Sequence, residues 1–371
     1  MELATTFFKN GYYKVGNSIY SSKLEALMSA SSSNQYPYWI FNNEVFDKTA
    51  WSIEPHEDIN ALYQQRALSL REKYDYIVLL YSAGVDSQTV FDSFVAIGQP
   101  VDEIVVFWAI GAAEKYGGPD TDYRPENCIA EWNHLIKPQL DYIHKTWPNI
   151  KITVVDSTGV IAKNQYTEED FFVFENYYGI ASLNRFAEAV KTITKISESH
   201  SNSVIICGTD KPQLKCKNNQ LYIYFLDKLI IFKSTDKVNI EYFYWSPDAT
   251  AILRKQGHLI LQYFKVNPQL IPMLSSRSNE LLKIINYCIY PNYNPLRFQV
   301  QKQNYEIFND QFSWIYNIDT YKDKQTMDKW QSQIINFNKT INDKYKQYKN
   351  NLYNGYIGSV TPDYLIGSFY D

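Results

Sequence analysis

The chain has 371 residues, enough to bury a substantial core in one large domain or two. Its 36 Lys and Arg against 40 Asp and Glu give a net charge of −4, which argues against a general polyanion binder but leaves room for a local basic patch. Cysteines 128, 207, 216 and 288 form neither a C-x-x-C pair nor a Cys/His zinc spacing. Together with the lack of a bilayer-length apolar run or a signal-peptide pattern around Glu2 and Lys9, this predicts a soluble, cytoplasmic protein with reduced thiols and no membrane partner.

In chain order, residues 11–20 carry β-formers around Gly16-Asn17 and read as a hairpin, followed by a short helix from Lys23 to Ala30 and a Ser/Asn-rich loop. Between Glu57 and Tyr74, the positions of Ile59, Leu62, Tyr63, Ala67 and Leu70 follow a helical repeat. Strands are expected at 76–81, 103–109, 151–155 and 203–207. Helices alternate with them, one from Asp86 to Ile97 that stops at Gly98-Gln99-Pro100 and one over 126–147. After residue 215, segments 221–225, 229–232 and 239–245 suggest an antiparallel meander, with helices at 248–265, 276–289 and 323–349. The alternation predicts an α/β fold with a parallel, doubly wound, Rossmann-like sheet. The expected divisions are an N-terminal hairpin and helix extension over 1–70, a core over 71–215, and an α+β accessory region over 216–371. The 32 tyrosines accompany abundant Asn, Ile and Lys and are read as compositional.

The most informative stretch is Tyr76 to Ser87, a buried-strand run that empties into Ser82-Ala83-Gly84-Val85-Asp86-Ser87. A small-residue turn that opens a helix can bring several backbone N–H groups to one phosphate and adds the helix's positive N-terminus. Ser82 and Ser87 offer hydroxyls, Ala83 and Gly84 permit close approach, and Asp86 is an acceptor-only carboxylate suited to Mg²⁺. The competing reading is an ordinary polar turn with a capping Asp. The chain contains neither G-x-x-x-x-G-K-[ST] nor G-x-G-x-x-G.

The spacing is that of the SGGxDS signature, and over about residues 57–260 the chain resembles the PP-loop (N-type) ATP pyrophosphatases of the adenine nucleotide alpha hydrolase-like superfamily. Within that group it looks most similar to asparagine-synthetase-like members, including ones encoded by bacteriophages. The resemblance implies a HUP-type sheet, ATP and Mg²⁺ as cofactors, and cleavage of the α–β bond with AMP passed to an acceptor. The family usually has glycine where Ala83 stands, which matters if the backbone there has positive φ. Position 2 is Glu, so the nucleophilic N-terminal Cys of a glutaminase domain is not expected.

The resemblance also implies roles elsewhere. Strand 203–207 runs into Gly208-Thr209-Asp210-Lys211, which places Asp210 as a second metal carboxylate and Lys211 as a phosphate counter-charge. Lys255, or its neighbour Arg254, is the implied cation for the α-phosphate on the helix that also carries His258. Trp108, after Phe107 at the end of the second core strand, is the implied adenine-stacking residue. Each has a plainer reading: a polar turn, a solvated helix face or a core aromatic. Residues 116–124 form a polar, Gly-rich loop suited to a lid or substrate loop, while His134 and His144 read as helix-surface or packing residues.

The function expected is an AMP-forming ligase or transferase acting on ATP and an unidentified small-molecule or nucleobase acceptor. RNA modification by sulfur transfer is a rival within the superfamily, for which Cys128 or Cys216 would have to serve. A nucleotide-binding interaction protein without turnover is the alternative from another class.

Overall fold

The computed structural model describes residues 10–21, 23–108, 110, 132–156, 180–208, 211–230, 232–275, 278–294, 352–353, 356–357 and 360–370. β1 (Tyr12–Val15) and β2 (Ser18–Tyr20) pair antiparallel across the Gly16-Asn17 turn, where Gly16 has φ 58°. After α1 (Lys23–Ser33), β3 (Pro37–Ile40) joins the other edge of β1. The short α2 (Asn43–Phe46) then leads toward α3 (Ile59–Lys73), which is capped by Asp58 accepting from the Ala61 N–H at 3.0 Å. The predicted apolar stripe of α3 is its buried face: Ile59, Leu62, Tyr63, Ala67 and Leu70 all lie in the core.

The α/β core follows in the order β4 (Tyr76–Leu80), α4 (Val85–Ala96), β5 (Glu103–Trp108), α5 (Lys137–Thr146), β6 (Lys151–Asp156), α6 (Ile180–Ser199) and β7 (Ser203–Cys207). A π-helical turn over Trp132–Ile136 runs directly into α5. Every strand of this sheet is parallel, and with β10 (Ile240–Tyr242) at one edge the order is β10-β7-β4-β5-β6. The inner strands are buried on both faces, as the near-continuous Ile/Val/Leu runs of β4, β5 and β7 require. The structure is thus an α/β fold with a Rossmann-like parallel sheet.

The meander expected over 221–245 is not what forms. β8 (Gln213–Lys217) and β9 (Gln220–Tyr224) make a hairpin that turns at Asn218 and Asn219, with φ 51° and 60°. Two consecutive left-handed residues match a two-residue hairpin turn, and Asn tolerates that conformation better than most side chains. Among the described residues, 229–232 hold no strand; Asp227–Leu229 instead form a 3₁₀ turn. β10 (Ile240–Tyr242) leaves the region altogether and pairs parallel to β7, with Ile240 opposite Ile205. Its three residues are all buried, which suits a sheet covered on both faces better than a half-exposed meander.

α7 (Thr250–Val266) and α8 (Asn279–Ile289) follow, then the short β11 (Leu352–Tyr353) and β12 (Tyr356–Ile357), and finally β13 (Tyr364–Ser368), which pairs antiparallel with β9. α7 packs on α3, α8 and β13. The helix expected at 323–349 and the loop at 116–124 lie outside the described residues. Among those described, no helix is long and apolar enough to cross a membrane.

Buried carboxylates staple elements to the sheet. Glu103, at the start of β5, accepts from Tyr76 at 2.9 Å, from Lys151 at 3.1 Å and from Thr153. Glu241 of β10 accepts from Arg66 at 3.0 Å, Lys73 at 3.2 Å and Tyr74 at 3.0 Å. The Arg66 and Glu241 side chains are each only 3% exposed, so losing one strands the other as a buried charge. Glu241→Ala is expected to cost about 3–5 kcal/mol in urea unfolding. Lys73→Ala, at the half-exposed end of the same network, should cost no more than about 1 kcal/mol.

Candidate functional site

The chain leaves β4 through α4 to reach β5 on one side, whereas β7 lies on the other side of β4 and is followed by β10 still farther out. β4 and β7 therefore flank the point where the winding reverses, the position at which an open parallel sheet leaves a crevice beyond its carboxyl ends. The β4 turn and the segment after β7 meet there. A Cβ added to Gly208 would lie 3.1 Å from Ser87 Cα and 3.1 Å from a Val90 methyl carbon, so the absence of a side chain allows this approach.

The turn itself is short and self-bonded. The Tyr81 N–H still donates to the Val105 carbonyl at 2.9 Å, and α4 begins only four residues later. In between, the Ser87 hydroxyl accepts from the Ser82 N–H at 3.2 Å and donates to the Gly84 carbonyl at 3.2 Å. The Ser82 and Ser87 hydroxyls lie 3.4 Å apart. Ser82 is exposed while Ser87, Val85 and Ala83 are buried. Gly84 is the N-cap of α4 and supplies no side-chain cap to its first turn. The N–H groups of that turn consequently point outward with the positive end of the helix dipole, a suitable environment for an anion.

Ala83 has φ 55° and is fully buried, while Gly84 has an ordinary extended conformation at φ −70°. The left-handed position in the turn is thus occupied by alanine, at a cost of about 1–2 kcal/mol.

Asp86 sits in the first turn of α4 with its carboxylate fully engaged. Lys211 Nζ donates to Oδ1 at 3.0 Å and Oδ2 at 3.1 Å, and the Tyr290 hydroxyl donates to Oδ1. The Tyr244 hydroxyl donates to the Asp86 backbone carbonyl at 2.8 Å. Behind these, Tyr63 donates to the Ile289 carbonyl at 2.8 Å and accepts from Gln256 Nε2 at 2.9 Å. Burial above all, and then the negative charge of Asp86, push the Tyr290 phenol well above its usual range, so it remains a donor. The same two effects raise Tyr63, and the Tyr244 phenol is also raised, by burial first and by Tyr63 and Asp86 after it.

These tyrosines carried no functional weight as composition. Tyr244 and Tyr290 lie 158 and 204 residues from Asp86 in the chain, and no local pattern links them.

Of the other residues singled out by sequence, Lys211 joins Asp86 directly. Trp108 ends β5 half-buried, opposite Asp156 of β6, at the same end of the sheet as the turn. Asp210 and Cys128 lie outside the described residues. Lys255 is held elsewhere: its ammonium donates to Glu54 at 2.7 Å and to the Pro55 carbonyl at 3.1 Å, and it makes no hydrogen bond or ion pair with the turn. The residue α7 turns toward the Asp86 cluster is Gln256, which is completely buried. His144 is exposed on α5.

Among the described residues no group of three His, Cys, Asp or Glu could hold a metal on its own. A single carboxylate such as Asp86 is nevertheless compatible with Mg²⁺, which keeps several waters and is completed by substrate phosphates rather than by a protein cage. The described thiols are not activated by their surroundings. Burial raises Cys207 and Cys216 and pushes Cys288 up to about 12, the reverse of an activated thiolate. No protein-family model matches this chain, and no curated protein is significantly similar to it in sequence.

At Ala83, two effects oppose each other. Ala83→Gly relieves the left-handed strain but loses a buried methyl worth about 0.8 kcal/mol and loosens the unfolded chain by about 0.4–1 kcal/mol. Its stability in urea unfolding is expected within about 1 kcal/mol of wild type. Ala83→Val, β-branched at positive φ, should lose more than about 2 kcal/mol.

His258, on α7, lies with Nε2 3.1 Å from the Trp51 carbonyl. Burial lowers its pKa from the ordinary 6.5, with Arg254 and Lys255 reinforcing the effect against Trp51 and Glu54. Below 6.5 the unfolded state binds more protons at this group than the folded state, so its contribution to stability is present above that pH and is lost as pH falls toward the depressed native value. His258→Gln should flatten this part of the melting-temperature-versus-pH profile.

Proposed function

We propose that this chain is a PP-loop ATP pyrophosphatase-type ligase or transferase, asparagine-synthetase-like and built on a HUP-type core. The observation that carries the reading is the meeting of the Ser82–Ser87 turn, at an uncapped helix N-terminus, with Lys211 at the reversal point of a parallel sheet. In this reading the first-turn N–H groups and the Ser82 and Ser87 hydroxyls hold the β- and γ-phosphates of ATP. Trp108 stacks on adenine. Asp86 holds Mg²⁺ together with Asp210, the second carboxylate that the sequence resemblance implies, and Lys211 balances phosphate charge.

Bound Mg²⁺ supplies Lewis-acid neutralisation of the pyrophosphate leaving group. The chain's own contribution is positioning: it fixes the phosphates so that the α-phosphorus stays open to an acceptor oxygen, and it stabilises the charge that develops. An acceptor oxygen forms the new bond to the α-phosphorus as the α–β bridge breaks, giving an adenylated acceptor and pyrophosphate. A nitrogen or other nucleophile then displaces AMP. Lys255 has no part in this scheme, since Glu54 and Pro55 hold its ammonium.

A second reading, nucleotide binding without turnover, is favoured by two observations. The Asp86 carboxylate is already bonded to Lys211 and Tyr290, and Ala83 strains the turn. Sulfur transfer to RNA is disfavoured by the raised thiols.

The protein with Mg²⁺ and α-labelled ATP, offered carboxylate, carbonyl and nucleobase acceptors, is expected to release AMP and pyrophosphate. Release of ADP and phosphate would contradict α–β cleavage, and tight binding with no product would favour the second reading. Asp86→Ala should lower turnover at least about 100-fold while keeping a wild-type circular dichroism spectrum.

A further inference from the structure

Lys211 and a divalent cation would compete for the same two oxygens. The Lys211 ammonium lies within 3.1 Å of both Asp86 oxygens, while the Tyr290 hydroxyl donates to one of them. We propose that Lys211 is an exchangeable counter-ion, bonded to Asp86 before nucleotide enters and transferred to phosphate when it does, while Tyr290 keeps the freed carboxylate oriented toward a divalent cation. This rests on the nucleotide reading given above and adds to it a cause for the order in which ligands bind.

The geometry separates a part that can move from a part that cannot. Lysine is a point charge on a flexible stem, so it can change partner by side-chain rotation alone. Gly208, at the end of β7, lies close against Ser87 and Val90, where an added Cβ would be 3.1 Å from each. The Asp86–Lys211 pair is also at the mouth of the site, with side chains 28% and 13% exposed, so phosphate can reach the ammonium.

Tyr290 is the fixed element. It is 1% exposed, the Tyr63 hydroxyl bonds the carbonyl of the residue before it, and its ring packs edge-on against Tyr244 at 5.9 Å. Lys211 Nζ lies 5.6 Å from the centre of the same ring, so departure of the ammonium changes the field at a tyrosine. A purely structural role, a tie from two elements to the start of α4, uses the same contacts. It predicts that loss of Lys211 weakens every ligand or none. Exchange predicts effects of opposite sign, because removing the ammonium exposes the carboxylate to metal but deprives phosphate of its counter-charge. The coupling between metal and nucleotide is reciprocal.

The test measures free Mn²⁺ by electron paramagnetic resonance, with and without α,β-methylene-ATP, in wild type, Lys211→Met and Tyr290→Phe. In wild type, the nucleotide should tighten Mn²⁺ binding by at least about 10-fold. Lys211→Met should bind Mn²⁺ alone about 10-fold more tightly and metal-free nucleotide about 10-fold more weakly than wild type. Tyr290→Phe should bind metal-free nucleotide normally and weaken only the metal step.

Unchanged Mn²⁺ affinity in Lys211→Met, or a loss for both ligands, would overturn the exchange. A measurement that needs no Lys211 variant checks it again: metal-free nucleotide added to wild type should give a tyrosine difference spectrum that Tyr290→Phe lacks. Nucleotide binding without that signal would also overturn the exchange. Wild type that binds no nucleotide at all would instead overturn the functional reading.

Discussion

The pairing of β4 with β7 is the constraint on which the rest of the structure depends. It runs in register from Tyr76 opposite Ser203 to Leu80 opposite Cys207, joining segments more than a hundred residues apart in the chain. Both strands are buried on both faces, so a slip in register would carry apolar side chains out of matched layers. With the register set, the two strand ends stop level with each other. The Ser82–Ser87 turn then meets Gly208 and Lys211. The contact between Lys211 and Asp86 follows from that alignment.

The carboxylates of the sheet fall into two kinds. Within the strands, Glu103 and Glu241 are buried and bonded by several donors, and each ties separate elements together. Such groups are costly to disturb and have little freedom to exchange partners. At the carboxyl end, Asp86 is partly exposed and its principal partner is a lysine, a flexible cation. The division is between carboxylates inside the sheet that hold elements together and one in the crevice beyond the carboxyl ends of β4 and β7.

Aromatic residues connect the core to its surroundings. Phe41 and Phe46, just after the N-terminal sheet, pack with Phe225, while Phe46 and Trp51 meet Tyr364 of β13. Phe41 and Phe225 also meet Trp245, just beyond β10. Tyr63, Tyr244 and Tyr290 continue this packing toward Asp86, with ring centres 5.5 and 5.9 Å apart along the series. A phenol suits the position because its ring fills the core while its hydroxyl supplies a donor where a buried aliphatic side chain would leave the carboxylate unsatisfied.

The parallel core was legible because its signals are local. Apolar runs at 76–80, 103–108 and 203–207, the helical stripe of α3, and the Gly-Gln-Pro stop after α4 each report short-range physics. The turn at Ser82–Ser87 was legible for the same reason, since a strand, small residues and a helix start adjoin in sequence. Local pattern could not assign β10, because a short apolar strand fits an antiparallel meander or a parallel edge equally well, and only its neighbour β7 decides. Nor could it settle Ala83, whose positive φ is imposed by the closure of the turn. Lys255 had the right chemistry and a helix to carry it, yet the packing of α7 turned Gln256 toward the site and gave Lys255 to Glu54. The sequence by itself determined the strand–turn–helix that creates a positive, uncapped helix end. Tertiary structure alone decided which distant side chains surround Asp86, because hydrogen bonds spanning 125 to 204 residues depend on where the sheet and helices place their ends.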